Sequence, residues 1–424
     1  MASSSMGSKR SHDDVVEEGE EKTIDRLSDL PDPILHHILS FLSTKCVVRT
    51  SIVSKWWRFL WRDVPTLNFS RSLCKSAALA EYVRNLLSLR SNSLSVVSIS
   101  FNFGSSKGIR PDMHLFDSVM KYAAASRGRN GHGDLNHLSI SHANCDHRFG
   151  ILAASSMAAA HHLKSLETLK LIKSELDGSE FAVGFSFLTT LELRDCYWLH
   201  SGREQLPVDP FAGLPCLNYL KLVHCFAKNL VFKITGPELL DLQIQKEYHK
   251  SEKTEVFAPK LKSFRYSGFI TELVGLCVPS LDCADICVWW DPIQVEELQL
   301  RYKYMKLLSE LHNAKSLSLR FADVCYAKSL SLSLRFADVY DEFGVQKSWE
   351  EHEFPLTSMK SLMEHIASPF TRLMALRVQY PQTPPKPPRE VINYFFGRSP
   401  RAKGKSVQFE KRQQMMKQTW FCNV

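Results

Sequence analysis

Residues 166–171 (LETLKL), 188–193 (LTTLEL) and 217–222 (LNYLKL) share one spacing of apolar residues, L-x-x-L-x-L. The last two apolar positions lie two residues apart, which predicts a short strand with one buried face. The same spacing recurs in the following triplets: Leu94/Val97/Ile99, Leu135/Leu138/Ile140, Leu239/Leu242/Ile244, Leu261/Phe264/Tyr266, Leu281/Ala284/Ile286 and Leu373/Leu376/Val378. Units this small cannot bury their own apolar face, so the recurrence predicts a leucine-rich-repeat solenoid over residues 94–380.

A local duplication lies within this region. Residues 314–324 (AKSLSLRFADV) and 327–339 (AKSLSLSLRFADV) are nearly identical, although repeat packing constrains only the apolar positions. The offset between the two copies is 13 residues at the start (327 − 314) and 15 at the end (339 − 324), which is shorter than a repeat. We therefore expect one copy within 314–339 to fit the array awkwardly or to bulge out of it.

A different pattern, of period 3.6, occupies residues 24–66 upstream of the repeats. Pro31 and Pro33 suit the first turn of a helix, and the apolar residues that follow lie on one helical face. Ser43-Thr44 and Ser54 can each cap a further short helix. Burying one large apolar side chain yields roughly 1.5–3 kcal/mol, yet three helices of this size cannot cover all the leucines, isoleucines and tryptophans present. The surplus apolar surface predicts a protein partner.

The remaining segments are flanks and connections. Residues 1–23 are Ser-rich and acidic and are expected to be disordered, and residues 67–93 are expected to form a helical connector. Residues 381–424 begin with the Pro-rich run PQTPPKPP and end in a basic tail, with a short helix expected at 391–396. Eight Lys or Arg residues against two Glu residues in 389–424 give 8 − 2 = +6, so most of the formal charge of +8 lies there. A solvated tail, not a nucleic-acid-binding arm, is the expectation.

Composition excludes several classes of function. The chain lacks the roughly 18 uninterrupted apolar residues of a membrane helix and an apolar segment of the secretory type near its start. Eleven irregularly spaced cysteines then indicate reduced thiols. We expect an intracellular protein of the nucleus, the cytoplasm or both, without membrane or nucleic-acid partners.

Residues that could carry chemistry favour structural roles. Cys196 and Cys225 follow the strand patterns directly, where a small side chain packs inward. The spacing of Cys277, Cys283 and Cys287 matches no zinc template, and the adjacent pairs His36-His37 and His161-His162 form no chelating helical face. No catalytic spacing or phosphate-cradling loop is visible, so we expect no enzyme activity, no cofactor and no metal site.

Residues 24–61 (IDRLSDLPDPILHHILSFLSTKCVVRTSIVSKWWRFLW) closely resemble the F-box of the plant F-box/leucine-rich-repeat family. The shared features are the Leu-Pro-Asp entry, the Ile-Leu-x-x-Ile-Leu-Ser-x-Leu helix, the Arg-Thr-Ser centre and the Ser-Lys-x-Trp-Arg-x-Leu-Trp end. Trp56 departs from the family pattern, which usually has a basic residue there. The repeat layout and the segment 391–396 (VINYFF) are also similar to that family.

The resemblance implies an α/β fold, with a small three-helix F-box followed by an irregular solenoid of short parallel strands with helical or irregular connections. It implies a non-catalytic substrate receptor of an SCF-type ubiquitin ligase, which binds a Skp-type adaptor and through it a cullin and a RING protein. The residues expected to face or support the adaptor are Leu30, Pro31, Ile34, Leu35, Ile38, Leu39, Val53, Trp57, Leu60 and Trp61.

Two alternatives stay open on the sequence. One is an adaptor-independent scaffold, whose repeats bind a partner while the F-box is vestigial; the other is an enzyme with a cryptic site. Neither the protein substrate nor a requirement for a small-molecule ligand follows from the residues, because specificity in such arrays lies in variable surface positions.

Overall fold

Twelve short strands, all parallel, form the main sheet in the described part of this protein. The computed structural model describes residues 27–70, 76–90, 95–102, 113–125, 135–141, 165–177, 185–199, 209–227, 231–246, 253–290, 297–323, 363, 368–380, 389–396 and 406–411. The helices are α1 (Asp32–Ser40), α2 (Thr44–Arg49), α3 (Trp57–Leu60), α4 (Ser76–Leu89), α5 (Met113–Ala125), α6 (Glu297–Glu310) and α7 (Arg389–Phe396), with 3-10 turns at Thr50–Ile52 and Ile270–Glu272.

The strands follow one another at repeat spacing. They are β1 (Thr66–Ser70), β2 (Ser98–Asn102), β3 (His137–Ser141), β4 (Thr168–Ile172), β5 (Glu175–Asp177), β6 (Thr190–Arg194), β7 (Tyr197–Leu199), β8 (Tyr219–Val223), β9 (Phe226–Ala227), β10 (Val231–Thr235), β11 (Asp241–Gln245), β12 (Lys253–Phe257), β13 (Ser263–Phe269), β14 (Leu273–Cys277), β15 (Cys283–Trp290), β16 (Ser316–Asp323), β17 (Ala375–Tyr380) and β18 (Ser406–Lys411). The main sheet has the order β1-β2-β3-β4-β6-β8-β11-β13-β15-β16-β17-β18, and the triplets β5-β7-β9 and β10-β12-β14 form two smaller sheets. The predicted α/β class, with short parallel strands and helical or irregular connections, is confirmed.

The apolar triplets line one continuous core, because neighbouring strands pair in register and stack equivalent side chains. Leu191 pairs with Leu220, which pairs with Leu242, and all three are fully buried. After β4, β6 and β8 the chain turns through a left-handed residue: Lys173 (φ 58°), Asp195 (φ 53°) and His224 (φ 53°). Each of them donates its backbone N–H to the next repeat at 2.7–2.8 Å, so the strained turn also links the repeats.

The structure corrects the expected limits of the repeats. The triplet predicted as Leu94, Val97 and Ile99 is instead Val96, Ile99 and Phe101. Ile99 and Phe101 pair with Leu138 and Ile140, which fixes this register. An earlier strand, β1, was missed inside the expected helical connector 67–93, although Val64, Leu67 and Phe69 carry the repeat spacing and are buried. Helix α4 does lie in that segment.

The C-terminal segment 381–424 also contains more structure than a linker and a tail. Helix α7 covers the expected short helix, and Tyr394 and Phe395 are buried beside Phe370. Strand β18 then pairs with β17 at the edge of the sheet. Of the duplicated segments, the first copy contributes β16 in regular register with β15 and β17, and the second copy lies outside the described residues, as does the segment 1–23.

The three-helix unit packs directly on the first strand of the repeats. The buried Thr44 accepts a hydrogen bond from the backbone N–H of Asn68 in β1, at 2.7 Å. Arg90, which follows α4 and is buried, donates from its guanidinium to the carbonyls of Val64 (2.7 Å) and Trp61 (3.4 Å). The helices and the repeats therefore share one core.

Replacing Arg90 with methionine is expected to lower the free energy of unfolding by about 2–3 kcal/mol, because a hydrogen-bonded charge is lost and two buried carbonyls lose a donor. Urea-induced unfolding followed by tryptophan fluorescence measures the change. The matched control is Arg84→Met, on the exposed side of helix α4, which ends just before Arg90. This substitution should change the free energy of unfolding by at most about 0.5 kcal/mol. Equal effects of the two substitutions would contradict the role given to Arg90.

Candidate functional site

The ten residues expected to face or support an adaptor divide into two groups in the structure. Five of them form the core of the three-helix unit and cannot contact a partner: Leu35, Leu39, Trp57, Leu60 and Trp61. Trp57 is also held by a hydrogen bond from its indole Nε1–H to Ser28 Oγ at 2.8 Å. These five side chains support the surface and are not part of it.

The other five residues are accessible. Ile34, Ile38 and Val53 are 47%, 37% and 64% exposed, Pro31 is exposed, and Leu30 is half-buried. Ile34 and Ile38 lie one helical turn apart on α1, beside the stripe of the buried Leu35 and Leu39. A helix that buries one apolar stripe on its own domain and leaves a second uncovered is suited to a docking surface.

Sequence reasoning missed a larger exposed apolar set in the same helices. Its members are Leu27, Phe41, Leu42, Ile52, Trp56 and Phe59, of which Ile52 is 86% and Phe41 74% exposed. Together with Ile34, Ile38 and Val53 they make nine of the fourteen exposed large hydrophobic side chains of the described residues. We call these nine residues the F-box surface, after the resemblance of residues 24–61 to an F-box. Their i, i+4 and i+7 spacings (Ile34, Ile38, Phe41; Ile52, Trp56, Phe59) were visible in the sequence.

Two cations lie beside Phe59 in the F-box surface. The guanidinium of Arg62 lies 4.7 Å from the ring centre of Phe59, and that of Arg58 lies 5.6 Å from it. Such cation–π contacts orient the exposed ring. His37 meets Phe41, another member of this surface, edge to face at 5.0 Å. The two phenylalanines are therefore oriented by neighbours before any partner binds.

The caps expected from the sequence hold these helices in place. Ser43 Oγ accepts from the N–H of Cys46 at 3.3 Å, and Ser54 Oγ accepts from the N–H of Trp57 at 3.4 Å. α1 begins behind Pro31, with Asp32 in its first turn. Each helix is short, so its ends and its packing stabilise it more than its own length does.

A second candidate surface is the open face of the main sheet, where alternate strand residues point away from the core. Strands β1 to β3 present only Ser, Thr, Asn and one His there. Charged and aromatic side chains begin at β4 and continue to β17. Tyr219 lies among them. Its partial burial and, to a smaller extent, the nearby carboxylates of Glu192 and Asp241 raise the pKa of its phenol, so the hydroxyl keeps its proton.

The cysteines have structural positions. Cys196 is fully buried, and its Sγ lies 3.3 Å from the carbonyl oxygen of Arg194. Cys225 is half-buried. Burial, together with the neighbouring Cys196, raises the pKa of the Cys225 thiol. Cys277 and Cys283 are exposed while Cys287 is buried. Among the described residues, no three His, Cys, Asp or Glu side chains are placed to hold a metal ion. His161 and His162 lie outside the described residues.

A small cavity lies between β8, β11 and the sheet β10-β12-β14. Phe232, Ile234 and Thr254 line it with the stem of Lys246, and its volume is about 10 Å³. That volume accommodates about one water molecule, so the cavity does not indicate a small-molecule ligand.

No helix within the described ranges has the length and apolar character needed to cross a bilayer.

Comparison with known proteins identifies the three-helix unit. Residues 27–69 match the F-box domain family. A putative F-box/LRR-repeat protein of Arabidopsis thaliana is 26% identical over 302 residues, which are 70% of this chain and 60% of that protein. An F-box/FBD/LRR-repeat protein of the same plant is 30% identical over 251 residues, 56% of this chain and 54% of that protein.

A third relative from Arabidopsis thaliana, an F-box/LRR-repeat protein, is 41% identical over 94 residues, 22% of this chain and 31% of that protein. The chain thus spans between 31% and 60% of the length of these relatives. Among solved structures, an internalin from Listeria monocytogenes covers 80% of this chain at 13% identity with a TM-score of 0.28, a score too low to bear on this chain.

Proposed function

We propose that this chain is the substrate-recognition subunit of an SCF-type ubiquitin ligase, because residues 27–69 match the F-box domain family and the chain is similar to F-box/LRR-repeat proteins of Arabidopsis thaliana. Its F-box binds a Skp-type adaptor, which connects it to a cullin and a RING protein, and its repeats bind a protein substrate. The observation that carries the proposal is the F-box surface on a domain that matches the F-box family.

The proposed receptor performs no bond chemistry itself. Holding a substrate lysine near a ubiquitin-loaded enzyme raises the effective concentration of the two reactants, which can lower a barrier by several kcal/mol. The shared core of the F-box and the first repeat suits this role, since a rigid connection fixes the distance from the adaptor to the bound substrate. Such a complex would act in the nucleus, the cytoplasm or both, which imaging of a fluorescent fusion of the full chain would test.

The adaptor is proposed to bind the F-box surface, and Leu35, Leu39, Trp57, Leu60 and Trp61 are proposed to support it from beneath. Burying an exposed isoleucine at an interface contributes on the order of 1–2 kcal/mol. The variant Ile34→Ala/Ile38→Ala is therefore expected to weaken adaptor capture about tenfold or more, with little loss of stability. Capture of purified Skp-type adaptor by the full chain, measured by surface plasmon resonance, gives the affinity.

The matched control is Leu240→Ala/Phe257→Ala, which removes two exposed apolar side chains from the repeats and should leave capture unchanged. If the parent chain does not bind the adaptor at all, the receptor proposal fails and the scaffold alternative, with a vestigial F-box, replaces it. If both double variants lose binding equally, the assignment of the F-box surface is wrong.

A further inference from the structure

The charges on the open face of the main sheet follow from its register. The third residues of β4, β6, β8, β11, β13 and β15 are neighbours in one row across the strands: Lys170, Glu192, Lys221, Gln243, Arg265 and Asp285. Neighbouring strands lie about 4.8 Å apart, so adjacent members of the row are within reach of each other. We call this row the charged row.

The carboxylates in and beside the charged row already have partners. Glu192 pairs with Lys170 at 2.9 Å, and Asp285 accepts two hydrogen bonds from Arg320 at 2.9 and 3.2 Å. Asp241, next to the row, accepts from Gln243 Nε2 at 3.2 Å. The ion pairs therefore compensate the charges of Glu192 and Asp285, and Asp241 is hydrogen-bonded to an uncharged amide.

Two cations of the row are left without an ion pair among the described residues, namely Lys221 and Arg265. They lie two strands apart, with the uncharged Gln243 between them, so their separation across the sheet is about 10 Å. Tyr219 precedes Lys221 on the same strand and is half-buried on the open face. Tyrosine and arginine are the residue types that most often dominate binding energy at protein interfaces.

We propose that the patch formed by Tyr219, Lys221 and Arg265 binds an acidic segment of a partner protein, with two carboxylates about 10 Å apart. In a polyproline II segment, which has three residues per turn and rises about 3.1 Å per residue, acidic residues three positions apart lie on the same face at about that separation. The segment crosses the strands of β8, β11 and β13, places one carboxylate on each cation and lies against the tyrosine ring. The inference deepens the proposed function, on which it rests, by giving the substrate-binding surface a chemistry.

Binding of labelled ten-residue peptides to the full chain, followed by fluorescence anisotropy, tests the proposal. One peptide carries two glutamates three positions apart in a Ser/Ala/Tyr background, and a second has lysines in their place. We expect the acidic peptide to bind, the lysine peptide to bind at least tenfold more weakly, and the affinity to fall as salt is raised, because exposed charges are screened. The charge reversal Lys221→Glu/Arg265→Glu should weaken acidic-peptide binding at least tenfold.

The matched control is Lys253→Glu/Lys303→Glu, which changes net charge by the same amount on residues outside the charged row; it should bind the acidic peptide like the parent chain. Equal binding by the parent and the Lys221→Glu/Arg265→Glu variant, or equal loss in both reversal variants, would overturn the proposal. Binding that appears only after removal of the acidic residues 1–23 would assign the patch to the protein's own N-terminal segment and also overturn it. Adaptor capture is measured on the same samples, because peptide binding does not require the adaptor. A chain that captures the adaptor but does not bind the acidic peptide contradicts this inference alone, whereas a chain that does not capture the adaptor contradicts the proposed function.

Discussion

Trp57→Ala is expected to lower the free energy of unfolding by about 3–5 kcal/mol, the range for removing a large aromatic side chain from a core. Trp57 is 6% exposed, lies between the helices of the F-box, and donates its indole N–H to Ser28. In a unit of three short helices this loss exceeds what the remaining packing can offset. The variant should therefore also lose adaptor capture, because the F-box surface no longer has a folded support.

Trp56→Ala is the matched control for that experiment. Trp56 is the adjacent residue of the same type but is 57% exposed, so its removal should change stability by less than about 1 kcal/mol. Adaptor capture should nevertheless weaken, because Trp56 belongs to the F-box surface. Urea-induced unfolding and adaptor capture are measured on both variants. A Trp56→Ala variant that unfolds as readily as Trp57→Ala would contradict the division into core and surface.

Lys246→Met is the second substitution with a large expected effect. Lys246 Nζ lies 3.3 Å from Glu272 Oε2, and the side chains of the two residues are only 11% and 6% exposed. Removing one partner of a buried ion pair costs about 3–5 kcal/mol. We therefore expect a loss of stability in this range, measured by urea-induced unfolding, in the repeats around β11 and β13.

Two further variants test the cause of that loss. Lys246→Met/Glu272→Leu removes both charges and should recover most of the stability, since an apolar pair can replace a buried ion pair at little cost. Lys260→Met breaks the exposed pair with Glu238 (2.6 Å, side chains 57% and 47% exposed) and should cost less than about 1 kcal/mol. If the double variant is as unstable as Lys246→Met, the lost packing of the lysine stem, and not the uncompensated charge, explains the effect.

Much of the fold was predictable because a strand with one buried face leaves a local trace. The triplets from Leu135 to Ile286 were assigned in register from spacing alone, and the caps Ser43 and Ser54 were identified from residue type. The errors fell where the signal was weak or conflicting. Serine-rich residues 91–98 concealed the correct register of β2, and charged and polar residues concealed β18 in the basic tail.

The candidate site was predictable only in part. The sequence located the F-box and its excess of apolar side chains, but half of the ten residues named as adaptor-facing or supporting lie in its core. The charged row was not identified from the sequence, although each member lies between the last two apolar residues of a predicted triplet. Lys221 and Arg265 become neighbours across Gln243 only when three strands pair in register.

The sequence by itself determined the architecture of this protein: a short helical unit followed by strands that repeat an apolar triplet. Such spacing is a property of neighbouring residues and needs no knowledge of what packs against them. Only the tertiary structure decided that Leu35 and Trp57 are buried while Ile34 and Trp56 are exposed. Each pair is adjacent in sequence and similar in hydrophobicity, so the side that is covered depends on which helix or strand packs across it.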